Sequence, residues 1–168
     1  KRTCTLKADD TAASLTDTLA QAGAACLLEV LDDGPEQLAP QAQDNAVATY
    51  AARIDKSVAE LDFSRDAAIL ARSVRAYDPW PVAFTTLAGE RLRIWHAQHI
   101  PGSLQAAPGT IVAVSAAGLD IATGDGTLRV LELQRAGGKR MGVAAYLSAR
   151  AVNVGQTLGI EAPPGGAS

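Results

Sequence analysis

The chain has 168 residues, of which 48% are hydrophobic and 20% charged, and its formal net charge is −3. This composition is typical of a globular protein with one or two small domains, and it excludes a disordered or collagen-like chain. No apolar run approaches the roughly 20 residues that a membrane helix needs. The first residues, KRTCTLKADD, contain no apolar signal-peptide core, so a cytoplasmic location is expected.

Charge is distributed unevenly along the chain. Residues 1–62 carry 5 basic and 11 acidic side chains, whereas residues 63–168 carry 10 basic and 7 acidic ones. The basic excess of the second part has two interpretations: a surface that faces a polyanion such as nucleic acid, or an ordinary soluble surface rich in arginine.

The first predicted element is a helix over residues 10–33. Its apolar residues recur at intervals that place them on one helical face: Leu15, Leu19, Ala22, Cys26 and Val30. Asp10 or Thr11 can cap its first turn, and Gly34 followed by Pro35 ends it. The polar and irregular sequence that follows, up to residue 62, predicts a linker between two domains.

A second helix is predicted after Ser64, a favourable N-cap residue, with Asp66 in its first turn. Its apolar stripe consists of Ala67, Leu70, Val74 and Tyr77. The other side carries Arg65, Arg72 and Arg75 within an arc of about 80°. These arginines form either a solvated helix face or a basic edge that faces phosphate.

Beyond Pro81 the sequence changes to short strands separated by turns. Strands are predicted over residues 82–87, 91–98, 110–115, 119–122 and 127–134. Their close succession predicts a small β-barrel or sandwich. Asp125-Gly126 predicts a hairpin turn with positive φ at both positions. A short helix over residues 143–150 and a closing strand over residues 152–160 follow, and residues 161–168 are expected to fray.

Residues suited to catalysis or metal binding are few. The two histidines, His96 and His99, are three apart in a predicted strand, where alternation places their side chains on opposite faces. Cys4 and Cys26 lack a partner motif, so two free thiols and no metal site are expected. The sequence contains no nucleophile elbow, zinc-protease helix or dinucleotide-binding loop. The residues alone therefore favour a binding module.

Separated blocks of sequence span nearly the whole chain: ADDTAASLTDTLAQAGAACLLEVL, QDNAVATYAARIDK, LDFSRDAAILARSVRAYDPWPVAF, and LQRAGGKRM followed by YLSAR. In this order the blocks resemble the C-terminal portion of the methionyl-tRNA formyltransferase family. Asp78 stands where asparagine is usual in that family, and Arg140 stands where lysine is common. Neither departure removes the turn or the positive charge.

The resemblance implies a mixed α and β fold. Residues 1–40 would be the terminal, helical part of a Rossmann-like formyltransferase domain, and residues 41–62 would be a linker. Residues 63–160 would form a tRNA-binding domain that resembles an oligonucleotide/oligosaccharide-binding (OB) barrel with a leading helix, followed by a frayed tail over residues 161–168. At the entry to this domain, Pro79 and Pro81 are expected to direct the chain out of the helix in an extended conformation. Trp80 is interpreted as a buried anchor between helix and barrel.

The family transfers a formyl group from 10-formyltetrahydrofolate to the amino group of methionine on initiator tRNA during translation initiation. The resemblance places the catalytic Asn, His and Asp, together with the folate site, upstream of Lys1, so this chain alone is expected to be inactive. The intact enzyme is expected to be a monomer that needs no metal. Basic residues of this chain are expected to contact tRNA phosphates without reading sequence: Arg53, Lys56, Arg75, Lys139, Arg140 and Arg150.

Two alternatives stay open from the sequence. One is a non-catalytic RNA-binding protein, in which the leucine face of the first helix would be exposed. The other is part of a folate-dependent sugar-nucleotide formyltransferase, which shares the R-A-x-x-P pattern and has no affinity for tRNA. The tryptophan between prolines and the GGKRM segment favour the tRNA enzyme.

Overall fold

The computed structural model describes residues 2–34, 39, 41–102 and 105–159, and the chain divides into two compact units, residues 1–54 and 55–168. The first unit contains helix α1 (Ala12–Asp33). The second contains α2 (Ala67–Ala76), α3 (Val143–Ala149) and six strands: β1 (Phe84–Leu87), β2 (Glu90–Ile100), β3 (Ile111–Ser115), β4 (Gly118–Ala122), β5 (Thr127–Arg135) and β6 (Arg140–Gly142). Within the described ranges, no helix combines the length and apolar character required to span a bilayer.

Helix α1 lies where the sequence predicts it, and its N-cap is Thr11. The Thr11 side chain accepts from the Ser14 N–H at 3.2 Å, while the Ser14 hydroxyl accepts from the Thr11 N–H at 3.1 Å, which forms a capping box. None of the α1 residues is buried. Leu19 and Leu31 are 56% and 57% exposed. Of the predicted apolar face, Leu15, Ala22, Cys26 and Val30 are half-buried and Leu19 is exposed, so none of its residues is fully buried.

The N-cap of helix α2 lies two residues after Ser64, the cap that the sequence predicts. Its N-cap is Asp66, whose side chain makes no capping hydrogen bond. Instead, the Ala67 N–H donates to the backbone carbonyl of Asp125 at 2.8 Å, and the Ser64 hydroxyl donates to Asp62 Oδ1 at 2.6 Å. The connection between β4 and β5 thus satisfies the first free N–H of α2, in place of a side-chain cap.

The strands form one antiparallel sheet in the order β1-β2-β5-β4-β3, with β6 paired to β5. The predicted strands are confirmed, whereas β6 and its pairing were not predicted. The register of β2 against β5 shifts around Trp95, between Ile94 and His96 and again before Ala97. This bulge interrupts the alternation of side chains. His96 and His99 are both exposed, and the placement of their side chains on opposite faces stays a prediction.

The predicted closing strand over residues 152–160 is an irregular segment, and its last residue lies outside the described residues. The Ile111 N–H donates to Gln156 O at 2.8 Å, and the Gly159 N–H donates to Thr86 O at 2.9 Å. Isolated bridges join Leu158 to β1 and pair Thr157 with the residue that precedes β3. The segment therefore contacts both edge strands of the sheet without forming a regular strand.

The core of the second unit packs α2 and α3 against one face of the sheet. Its largest fully buried side chains include Leu70, Leu92, Ile94, Ile111, Leu119, Ile121, Leu128 and Leu133. Leu92 and Ile94 alternate along β2 with Arg91 and Arg93, which are exposed. Because successive side chains of a strand point to opposite faces, the two arginines lie on the outer face of the sheet.

The β4–β5 turn differs from the prediction. The β4–β5 connection has four residues, 123–126, and only Gly126 has positive φ, at 79°, so the two-residue turn predicted at Asp125-Gly126 is wrong. A two-residue turn with positive φ at both positions occurs instead between β1 and β2. There Ala88 has φ 50° and Gly89 has φ 79°, values typical of a type I′ turn.

Trp80 is not the buried anchor that the sequence predicts, because its side chain is 52% exposed. Helix α2 ends at Ala76, and residues 77–81 form a turn instead of leaving in an extended conformation. Val82 has φ 68°, and its N–H donates to Tyr77 O at 2.9 Å. This reversal places Trp80 at the surface, while Val82 and Ala83 fill the core in its place.

Candidate nucleic-acid interface

One row of directly opposed residues crosses four strands. Phe84 on β1 is paired with Arg93 on β2, Arg93 with Gln134 on β5, and Gln134 with Arg140 on β6. Directly opposed residues of an antiparallel pair lie on the same face of the sheet. The row therefore crosses the face opposite the core. We call the surface around it, formed by β1, β2, β5 and β6, the outer face.

Gln134 connects the outer face to the turn between β5 and β6. Its Oε1 accepts from Trp95 Nε1–H at 2.9 Å, and its Nε2 donates to the Gly138 carbonyl at 2.8 Å. The Gly138 N–H in turn donates to Arg135 O at 3.0 Å. These bonds hold the turn against the sheet and position Lys139, which follows it directly.

Two guanidinium groups of the outer face lie over aromatic rings. Arg91 Cζ is 3.5 Å from the centroid of the Phe84 ring, and Arg140 Cζ is 5.1 Å from that of Trp95. A ring attracts the cation through its face and leaves the N–H groups at the edge of the guanidinium free to donate. The outer face thus presents oriented cations.

Acidic side chains neutralise only part of this charge. Glu132 Oε2 lies 2.5 Å from Arg140 Nη2, and Glu90 accepts from Arg135 Nε at 2.5 Å and lies 3.4 Å from Arg150 Nη2. In the part of the chain that the structure describes, no acidic side chain pairs with Arg91, Arg93 or Lys139. The outer face and its margins therefore carry a net positive charge, which favours an anionic partner.

The structure brings some of the sequence-predicted phosphate contacts together. Arg140 lies on the outer face, exposed Lys139 directly follows the adjoining turn, and Arg150 at the end of α3 reaches Glu90 at the start of β2. Arg75 instead folds back on α2, where its Nη1 donates to Ala71 O at 3.3 Å. Exposed Lys56 begins a 3₁₀ helix, Lys56–Ala59. Arg53 belongs to the first unit and is exposed there. Their contacts with tRNA stay predictions.

Sequence reasoning missed three arginines of the second unit, namely Arg91, Arg93 and Arg135. A signal for two of them was present in RLRIW, residues 91–95, where basic and apolar residues alternate with the period of a strand. Arg135 is the last residue of β5. Nothing in the order of residues indicates that it lies near Arg91. Their proximity depends on the pairing of β2 with β5.

No metal centre is formed by the residues described. Within the described ranges, no group of three or more histidine, cysteine, aspartate or glutamate side chains is arranged to hold a metal ion. Cys4 and Cys26 are free thiols, as the sequence predicts.

Residues 53–151 match the family described as formyl transferase, C-terminal domain, and the chain belongs to this family. Its curated relatives include methionyl-tRNA formyltransferases. It is 47% identical over 160 residues to that of Methylococcus capsulatus, covering 95% of this chain and 51% of the relative. It is 46% identical over 149 residues to that of Bordetella avium, covering 88% and 48%. The resemblance predicted from the sequence is confirmed, and the chain spans about half the length of the curated relatives it matches.

Solved structures of HypX from Aquifex aeolicus share the fold. One variant aligns with a TM-score of 0.65 at 20% identity, over 87% of this chain and 27% of HypX. Another aligns with a TM-score of 0.63 at 18% identity, over 93% and 30%. A HypX structure determined in complex with tetrahydrofolic acid aligns with a TM-score of 0.56 at 21% identity, over 73% and 22%. The predicted mixed α and β fold, with an antiparallel sheet and helices, is confirmed.

Proposed function

We propose that this chain is the tRNA-holding C-terminal part of a methionyl-tRNA formyltransferase. The complete enzyme would transfer a formyl group from 10-formyltetrahydrofolate to the amino group of methionyl initiator tRNA, in the cytoplasm. The observation that carries the proposal is the outer face, where arginines that lie over aromatic rings form a net positive surface next to Lys139. The names of the curated relatives favour this function over a sugar-nucleotide formyltransferase.

The second unit is proposed to be an OB-like barrel. The segment over residues 155–159 supports this assignment, since it hydrogen-bonds to residues next to or within both edge strands. In such a barrel the ligand would lie across the sheet face rather than in an enclosed cavity. The outer-face row has the required orientation, because it crosses four adjacent strands.

Residues 1–40 are proposed to be the end of a Rossmann-like formyltransferase domain, and residues 41–62 the linker to residues 63–160. Helix α1 supports this division, because none of its residues is buried within its own unit. Leu27 and Leu28 are 59% and 62% exposed. An apolar helix surface of this kind is stable in water only when another part of the protein covers it. We assign its cover to the formyltransferase domain of the intact monomer.

Within this function, the chain binds and orients RNA and leaves the chemistry to the other domain. We assign phosphate contacts to the six residues that the sequence indicates: Arg53, Lys56, Arg75, Lys139, Arg140 and Arg150. Contacts of this kind position the nucleic acid without reading its sequence. The formyl donor and the catalytic side chains are assigned to the formyltransferase domain, and no metal is required.

A fluorescence titration of the chain with initiator tRNA at several salt concentrations tests the proposal. The logarithm of the association constant should fall linearly with the logarithm of salt concentration, with a slope of about −0.7 to −0.9 for each phosphate neutralised. Lys7→Ala, an exposed charge of the first unit, is the matched control and should leave the slope unchanged. Absence of binding at low salt, or equal affinity for duplex DNA, would contradict a dedicated tRNA-binding function.

A further inference from the structure

A small basic cavity lies beside the outer-face row. Arg91, Arg93 and Arg135 line it together with Ala136 and Gly137, and its volume is about 210 Å³. One water needs about 10–15 Å³ of such volume, so the cavity has room for one hydrated anionic group. The three charged residues that line the cavity are all arginines.

Arg91 and Arg93 lie on the outer face, whereas Arg135 is paired opposite Leu92 and its guanidinium binds Glu90. Arg135 Nε donates to Glu90 Oε1 at 2.5 Å, and Glu90 is shared with Arg150. Among residues 41–102 and 105–159, Arg91 and Arg93 have no acidic partner. The cavity therefore carries uncompensated positive charge, which an anion between the arginines would neutralise.

The walls of the cavity are held in place from two sides. On one side the Phe84 ring supports Arg91, at 3.5 Å from its guanidinium carbon. On the other side the Gly138 N–H donates to Arg135 O at 3.0 Å, and Gln134 Nε2 donates to the Gly138 carbonyl, which fixes the turn. Gly137 has φ 69°, and a Cβ at that position would contact nothing within 4 Å. The turn thus leaves the entrance open beside Arg135.

We propose that this cavity binds one phosphodiester group of the RNA backbone, with Arg93 as its principal donor and Arg91, supported by the Phe84 ring, as a second donor. The planar fork of a guanidinium matches two oxygens of a phosphate, so arginine suits this site better than lysine. The inference rests on the proposed tRNA-holding function and adds a specific anion subsite to it. The row of Phe84, Arg93, Gln134 and Arg140 would then guide the backbone from the cavity toward Lys139.

The test uses the full chain and four variants: Arg93→Ala, Arg93→Lys, Arg91→Ala and Lys7→Ala. Arg93→Ala should lower the affinity for initiator tRNA about tenfold and reduce the salt slope by about one phosphate. Arg93→Lys should keep the slope but recover only part of the affinity, because it keeps the charge and loses the fork. Lys7→Ala should change neither. Arg93 is exposed, and circular dichroism with thermal unfolding checks that each variant is folded.

The outcomes separate the cavity from the proposed function. If the unaltered chain binds tRNA, and Arg93→Ala together with Arg91→Ala both bind within twofold of it, the cavity proposal is wrong while the function stands. If the unaltered chain does not bind tRNA, both fail. A parallel titration with inorganic phosphate and pyrophosphate, followed by the ¹H–¹⁵N resonances of the arginine side chains, identifies the source of the anion. Saturation by free phosphate without competition by tRNA would overturn the backbone assignment.

Discussion

Gly124 lies against the backbone of Ser64 so closely that a Cβ at position 124 would be 1.9 Å from the Ser64 carbonyl oxygen. The Gly124 N–H donates to Phe63 O at 3.0 Å and to Arg65 O at 3.1 Å. The β4–β5 connection and the residues that precede α2 are thus joined backbone to backbone. A side chain at position 124 would separate them.

Gly124→Ala is therefore expected to lower the free energy of unfolding by about 3 kcal/mol or more, which is at the upper end for overpacking. Urea unfolding followed by circular dichroism measures this. Gly23→Ala, where a Cβ would meet nothing within 4 Å, is the control and should not lower the midpoint. An unchanged midpoint for Gly124→Ala would show that the two backbones are not in contact.

A substitution in the β1–β2 turn is expected to raise the free energy of unfolding. Ala88 is exposed and has φ 50°, a left-handed conformation that disfavours residues with a Cβ other than Asn and Asp. Ala88→Asn should raise the free energy of unfolding by about 1 kcal/mol, because asparagine suits the first position of a type I′ turn. Thermal unfolding checks it. Ala144→Asn, an exposed position in α3, should have no such stabilising effect.

The substitution Trp80→Ala tests whether Trp80 lies at the surface. Because its side chain is 52% exposed, Trp80→Ala should change the free energy of unfolding by less than about 1 kcal/mol. Leu70→Ala is the comparison, since Leu70 is 2% exposed and the loss of a buried leucine costs about 2–5 kcal/mol. Equal losses for the two variants in urea would restore the interpretation of Trp80 as an anchor.

Glu132 forms an ion pair with Arg140 on the outer face. Glu132→Gln removes one negative charge and frees that guanidinium, so the affinity for tRNA should rise about threefold at low salt and the gain should shrink as salt is added. Glu29→Gln, on α1 in the first unit, is the matched control. A lower affinity for Glu132→Gln would indicate that the ion pair itself orients Arg140 for binding.

The stability of the second unit should depend on pH in the alkaline range. Burial of Tyr146, together with the nearby Glu90 carboxylate, raises the pKa of its phenol above the ordinary value of 10.0. The folded state therefore holds this proton more tightly than the unfolded state, and the stability that this provides is present below pH 10 and lost as pH rises through the folded-state pKa. Tyr146→Phe should show a smaller loss between neutral pH and pH 11 in urea titrations. An identical decline would assign the effect to other groups.

The sequence predicted the regular elements well because their signals are local. The helical period places α1 and the buried face of α2, and alternation along residues 91–98 and 127–134 places β2 and β5. Strand β6 was missed because three residues are too few to show a period. The bulge at Trp95 and the exposure of Trp80 depend on register and on the turn at residues 77–81, which the order of residue types does not specify.

The candidate site was only partly predictable for a related reason. Lys139 and Arg140 were found because the GGKRM segment is contiguous in the sequence. Arg93, Gln134 and Arg140 are distant in the sequence, and only the pairing of β2, β5 and β6 makes them neighbours. Charge counting along the chain therefore selects basic residues but does not show which of them share a surface.

The cross-strand row has a consequence for thermodynamic measurements, because two of its members come from β1, an edge strand, and from β6, a three-residue strand paired with β5. Fraying of β1 or β6 would remove part of the surface before the whole unit unfolds, so a ligand that occupies the row selects the fully assembled sheet. RNA at 100 times its dissociation constant would add about 2.7 kcal/mol to the free energy of unfolding through this linkage. The same linkage makes amide hydrogen exchange in β1 and β6 a sensitive reporter of occupancy, since both strands would exchange more slowly with RNA bound.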